Sequence, residues 1–241
     1  MTYCVALKLR EGLVLCSDSR TNAGVDHIAS FRKLQVFERP DERIIYIQSA
    51  GNLASTQSVI SLLQKAITQS DRHILNIESL FDVAEMVGKT IRQVVQRDQG
   101  QNQGIDFGCN IILSGQIRGE ESRLFHIYPQ GNFIEASDDT PYFQIGESKY
   151  GKPILDRIIT VDTPIAKAIQ CVLISMDSTL RSNLSVGMPL DLISYEEGAL
   201  CSPDIVRLDE FHPDFLKLRS AWSEGIKGLF NSLPLYMKGE F

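Results

Sequence analysis

From its third residue the chain alternates. Tyr3, Val5, Leu7 and Leu9 interleave with Cys4, Ala6, Lys8 and Arg10, the period of two that sends successive side chains to opposite faces of a strand. Glu11-Gly12 supplies a tight turn, and residues 13–17 predict the returning strand. This pairing constrains the chain more than any other feature, because it fixes what stands beside the first residues. Opposed residues in such a hairpin have index sums of roughly 20 to 23, so Thr2 faces a position at or just beyond Asp18. Ser17-Asp18-Ser19-Arg20 is thereby brought back beside the start of the chain.

The rest of the pattern divides into blocks. A strand is predicted over 33–37, then a charged loop, Glu38-Arg39-Pro40-Asp41-Glu42, then the apolar run Ile44-Ile45-Tyr46-Ile47. After Gly51 the period changes to that of a helix. Val59, Ile60, Leu63, Ala66 and Ile67 share one face, and Leu80, Ala84, Val87, Ile91 and Val94 share another, with Asn76 as the expected N-cap of the second helix. The polar, glycine-punctuated stretch 99–104 predicts an exposed loop. Strands return at 110–115, 124–127 and 132–136. Thr163-Pro164 predicts a capped helix start with proline in its first position, followed by the stripe Ile165, Ile169, Val172, Met176 and Leu180. Phe215, Trp222, Ile226 and Leu229 mark a last helix. Strands, two helices, strands, then helices is the order of an α+β layered fold, not of alternating βαβ units. No Pro/Ser/Gly linker divides residues 1–241, so one domain is expected, with 233–241 as its tail.

Charge and cysteine usage exclude several classes. Lys and Arg total 24 against 30 acids, a net charge of −6, where a nucleic-acid binder would carry a basic excess or stripe. No window reaches the ~18 consecutive apolar residues of a membrane helix. Lys8 and Arg10 interrupt the N-terminal apolar run before a signal-peptide core can form. A cytoplasmic protein that binds neither membrane nor nucleic acid is expected. Cys4, Cys16, Cys109, Cys171 and Cys201 are odd in number and form no CxxC pair, which argues against a disulfide framework or a zinc site. His27, His73, His126 and His212 have no metal-ligand spacing. The sequence therefore implies no metal and no organic cofactor.

Common catalytic patterns are absent: there is no GxSxG elbow, no phosphate-binding Walker loop and no HExxH helix. What remains is Thr2, directly behind the initiator methionine. A threonine hydroxyl is a weak nucleophile and needs a base close by. Removal of Met1 gives Thr2 its own base, since an α-amino group titrates near ~7.7–8.0, a value suited to proton abstraction at neutral pH.

The stretches Thr2-Tyr3-Cys4-Val5-Ala6, Gly12-Leu13-Val14-Leu15-Cys16-Ser17-Asp18-Ser19-Arg20, Lys33 and Ser49-Ala50-Gly51 resemble the proteasome-type threonine hydrolases, a group of N-terminal-nucleophile hydrolases. Ser182-Asn183-Leu184-Ser185-Val186-Gly187 followed by Asp191 is most similar to the bacterial branch of that family called Anbu, the ancestral β-subunit. Each motif is weak alone; their order, starting at position 2, is what makes the resemblance specific.

The resemblance implies a four-layer αββα sandwich. It implies Thr2 as nucleophile, Asp18 and Lys33 as the supporting pair, and the backbone N–H of Gly51 as oxyanion donor, where the missing Cβ lets substrate approach. Thr21, Ser49 and Leu53 fall at substrate-binding positions, with Ser49 at the floor of the main specificity pocket, which implies a modest, non-acidic pocket. Two departures stand out. Glu147 occupies the position of an expected active-site serine, leaving Ser148 as the neighbouring hydroxyl, and Ser182 replaces an expected aspartate, while Ser185 matches the serine that follows it. The resemblance implies hydrolysis of peptide or small amide bonds by a homo-oligomer, a ring or an open spiral, with residues 38–42 and 233–241 as contact segments. It leaves any ATPase partner open. A catalytically silent scaffold and a small-molecule amidase are the alternatives.

Overall fold

The computed structural model describes residues 2–22, 28–99 and 106–235. Met1, His27, nearly all of the loop expected at 99–104 and the last six residues of the tail lie outside the described residues. In chain order the elements are β1 (Tyr3–Leu9), β2 (Gly12–Asp18), β3 (Arg20–Asn22), β4 (Ile28–Ser30), β5 (Leu34–Arg39), β6 (Arg43–Gly51), α1 (Leu53–Gln69), α2 (Leu80–Gln99), β7 (Cys109–Ile117), β8 (Arg123–Ile127), β9 (Phe133–Glu135), β10 (Tyr142–Gly146), α3 (Lys152–Ile158), α4 (Ile165–Ser182), β11 (Leu190–Glu196), β12 (Val206–Leu208) and α5 (Pro213–Ser232).

Two five-stranded antiparallel sheets carry the fold, in the orders β10-β1-β2-β11-β12 and β5-β6-β7-β8-β9, beside a small β3-β4 ribbon. The period of two in the sequence explains their stacking. In β1, Tyr3, Val5, Leu7 and Leu9 pack against α3, α4 and α5, joining residues such as Val172 and Met176. Their neighbours Cys4 and Ala6 face the other sheet, joining Tyr46 and Ile112. In β6, Ile45 and Ile47 turn outward to α1 and α2, while Ile44 and Tyr46 turn inward. Both faces of the central strands are therefore buried, and three separate apolar cores separate four layers. The fold is the expected αββα sandwich, of α+β class.

Several local expectations are corrected. The cap of α2 is Ser79, whose hydroxyl accepts the Asp82 N–H at 3.1 Å. Asn76 instead closes the preceding turn, accepting from the His73 N–H and donating to the Asp71 carbonyl. Thr163 does not cap α4. Its hydroxyl serves the Thr160 N–H, and the Ile165 N–H at the head of α4 donates to the Glu11 carboxylate, delivered by the β1–β2 turn. Glu38 and Arg39 belong to β5, which shortens the charged loop to a turn at 40–42. The strands β3, β4, β10, β11 and β12 and the short helix α3 were not anticipated. Of the stripe on α5, only Phe215 is buried, while Ile226 and Leu229 stay exposed. Among the described residues no helix is long and apolar enough to cross a membrane.

Candidate active site

The β1–β2 register pairs Cys4 with Ser17, an index sum of 21 within the expected span. One step further along, the Tyr3 N–H donates to Asp18 Oδ1 at 3.0 Å. The register thus seats Asp18 behind the residue that follows Thr2. Asp18 is fully buried. Lys33, immediately before β5, is 5% exposed and brings its Nζ to 2.5 Å from Asp18 Oδ1. The same ammonium donates to the Arg20 carbonyl at 2.7 Å, and the Gly187 N–H donates to Asp18 Oδ2 at 3.2 Å. Burial pushes the Asp18 carboxyl above the ordinary carboxylate range, and the Lys33 ammonium and the two backbone N–H groups oppose that push. Such a pair, with three donors on one buried carboxylate, is held in a single geometry.

Backbone pairing then sets this ion pair against β6. The Ser49 N–H donates to the Lys33 carbonyl at 3.1 Å, which fixes Lys33 next to the segment Ser49-Ala50-Gly51. A cavity of about 430 Å³ opens there, lined by Thr2, Lys33, Ser49, Gly51 and Leu53 among others. Thr2 itself is 7% exposed. Its carbonyl accepts the Glu147 N–H at 2.7 Å, which anchors the residue from the β10 side. Gly146 has φ +83°, and a Cβ there would lie 1.9 Å from the Thr2 carbonyl oxygen; only glycine lets β10 pass so close to the chain start.

Gly51 also requires its missing side chain, for a reason different from the expected one. Its φ is +115°, and a Cβ would meet the Gly108 carbonyl oxygen at 2.5 Å. The absent side chain makes room for the neighbouring strand, not for a ligand. Directly after it, the Asn52 side chain accepts the Ser55 N–H at 3.2 Å and caps α1, so that Leu53 starts the helix on the cavity wall.

The other expected residues fall elsewhere. Ser148 lines a different cavity, with Tyr142, Gln144 and Lys152. Ser182 ends α4, and the Ser185 N–H donates to the Asn183 side chain. None of these three serines lines the Thr2 cavity, and among the described residues none is hydrogen-bonded to Thr2, Asp18 or Lys33. The β10 strand ends at Gly146, and the positive φ there turns the following residues so that position 147, not 148, stays against Thr2. Thr21 lies in β3 opposite Ala29; its side chain lies outside the described residues. Sequence reasoning missed Gly187 as a hydrogen-bond donor to Asp18; the structure shows why a glycine stands there, since Arg20 Nε would lie 2.1 Å from a Cβ at position 187.

Comparison with known proteins agrees with this fold. The family model described as "Proteasome subunit" matches residues 2–188. No curated protein matches the chain. Among solved structures, Anbu (ancestral beta-subunit) from Yersinia bercovieri is 55% identical over 99% of this chain and 100% of its own, with a TM-score of 0.94. The Anbu complex from Pseudomonas aeruginosa, solved as a helical assembly, is 50% identical over 98% and 99%, with a TM-score of 0.95. Anbu from Hyphomicrobium sp. strain MC1 is 44% identical over 98% and 100%, with a TM-score of 0.92. Identity at this level, over the full length of those chains, places this one with them: it belongs to the proteasome subunit family, in its Anbu branch.

Proposed function

We propose that this chain is an N-terminal threonine hydrolase that cleaves peptide or amide bonds through an acyl-enzyme ester on Thr2. The observation that carries this reading is the buried Asp18–Lys33 pair whose cationic member shares a cavity with Thr2. With Met1 removed, the α-amine of Thr2 takes the proton from its own Oγ as that oxygen attacks the substrate carbonyl carbon. Lys33 sits where its charge favours the developing alkoxide, and Asp18 holds the ammonium in place. The negative charge on the carbonyl oxygen is met by the N–H of Gly51, a contribution of the kind worth ~2.7–4 kcal/mol of barrier. Collapse of the tetrahedral intermediate breaks the C–N bond, and the amine of Thr2 returns the proton to the leaving nitrogen. Water, activated by the same amine, then hydrolyses the ester. The chain works as a homo-oligomer in this reading, in keeping with the helical assembly of the Pseudomonas aeruginosa relative.

The test is covalent capture. A peptide epoxyketone should add to the processed wild type, and Thr2→Ala should abolish that adduct while the far-ultraviolet circular dichroism stays unchanged. Equal labelling of the two proteins would overturn the assignment.

One observation favours a second reading, a scaffold with little or no turnover. Glu147 stands where the family pattern has a serine, its carboxylate lies 3.8 Å from the Lys149 ammonium, and Ser148 faces another cavity. The Thr2 amine then has no hydroxyl from this segment to relay its proton. Intact mass separates the readings, since a scaffold tolerates retained Met1 and takes up no electrophile. Peptide against small-amide turnover separates a peptidase from an amidase.

A further inference from the structure

Resting on the hydrolase reading, we propose that the Thr2 cavity selects an acidic side chain on the acyl side of the scissile bond and disfavours a basic one, with Arg32 as the residue that sets this preference. The charge inventory of the wall carries the inference. The chain has a net charge of −6, yet among the described residues no Asp or Glu lines this cavity. Its charged residues are Arg32 and Lys33. Lys33 is 5% exposed and its ammonium donates to Asp18 and the Arg20 carbonyl, which leaves Arg32 as the exposed cation of the wall.

Arg32 differs. It is exposed, and among the described residues its guanidinium has no salt-bridge partner. Its backbone is held by the Gln35 amide, which donates to the Arg32 carbonyl at 3.2 Å. The remaining polar wall is neutral, with Gln57, Ser61 and Gln64 on one side of α1. Amide and hydroxyl groups donate or accept as the guest requires, so they accommodate a polar side chain without choosing its sign. The N-terminal turn of α1 contains no acidic residue that would offset the positive end of the helix. Arg32 therefore decides the sign: a carboxylate entering the cavity meets a guanidinium able to grip it with two N–H groups, and an ammonium meets repulsion with no compensating acid among the described residues.

Because the wall is open to water, the discrimination should be modest and salt-sensitive. The experiment measures inactivation rates of the processed protein by peptide epoxyketones that differ only in the residue next to the electrophile: Glu, Gln, Leu or Arg. Glu should react roughly five- to tenfold faster than Arg, with Gln and Leu between, and 0.5 M salt should compress the range. Arg32→Gln should erase most of the Glu advantage, and Arg32→Glu should reverse the order. An Arg-bearing probe that labels Thr2 as fast as the Glu-bearing one overturns the inference and leaves the hydrolase reading standing. Labelling by none of the four removes that reading and the inference with it.

Discussion

Lys33 and Asp18 hold opposite charges in a place that water hardly reaches, at 5% and 0% exposure. Removing one partner strands the other, which for a buried pair costs about 3–5 kcal/mol. Lys33→Ala should therefore lower the unfolding free energy by about that amount in a denaturant titration, and labelling of Thr2 should fall with it; a loss below ~1 kcal/mol would show that the pair is not desolvated. His126 offers an independent check on the β7–β8 region. Burial pushes its imidazole below the ordinary histidine value. The unfolded chain then binds a proton that the folded one refuses, so stability falls as pH drops through about 6.5 and levels off below the folded value. A ring-proton NMR titration of His126 should give a midpoint below that of a free histidine, and an elevated midpoint would contradict the burial argument. Asp18 beside Thr2 was legible because hairpin register is arithmetic once the turn is placed, whereas Lys33, outside the hairpin, was named only by the family resemblance. The place of Ser148 was not legible, because a single backbone twist at Gly146 decides which of positions 147 and 148 stays against Thr2.

Helix ends were harder to read than helix faces. The faces of α1 and α2 follow a periodicity that the core obeys, with Val59, Leu63, Ala84, Val87 and Ile91 all buried. The ends depend on which side chain reaches the first N–H groups, and both Asn76 and Thr163 bond to preceding turns instead. Ser79→Ala should accordingly cost about 0.5–2 kcal/mol, the range of a lost N-cap, measured by thermal or urea unfolding; no change would move the cap elsewhere. The strand β11 escaped the sequence reading although Leu190, Leu192 and Ile193 are buried. It pairs with β2 along its whole length, from Leu190 opposite Asp18 to Glu196 opposite Gly12. That contact spans far in sequence, and a short run of mixed residues carries little local signal for it. The seven-residue α3 is too short to display a face.

The layer order follows from central strands that are apolar on both faces; the element order predicts only α+β layers, and the four-layer sandwich was what the family resemblance implied. Periodicity cannot tell a core from an interface, and α5 shows the consequence. Its stripe is buried at Phe215 and half-buried at Trp222, beyond which Ile226, Leu229, Phe230, Leu233 and Leu235 stand exposed along the end of the helix and the residues after it. An apolar run of this kind would serve, in the homo-oligomer reading, as a contact surface between copies. In the homo-oligomer reading, Phe230→Asp should shift sedimentation at micromolar concentration toward smaller species without loss of folded structure; an unchanged distribution would remove α5 from the contact surface. The proposed chemistry requires that the hydroxyl of Thr2 be activated by its own freed amine. Intact mass spectrometry of the native protein, before and after treatment with a peptide epoxyketone, addresses that directly. The predicted result is a chain lacking Met1 that gains one equivalent of the electrophile on Thr2. A chain that lacks Met1 and stays unmodified, or one labelled equally in the Thr2→Ala variant, would contradict it.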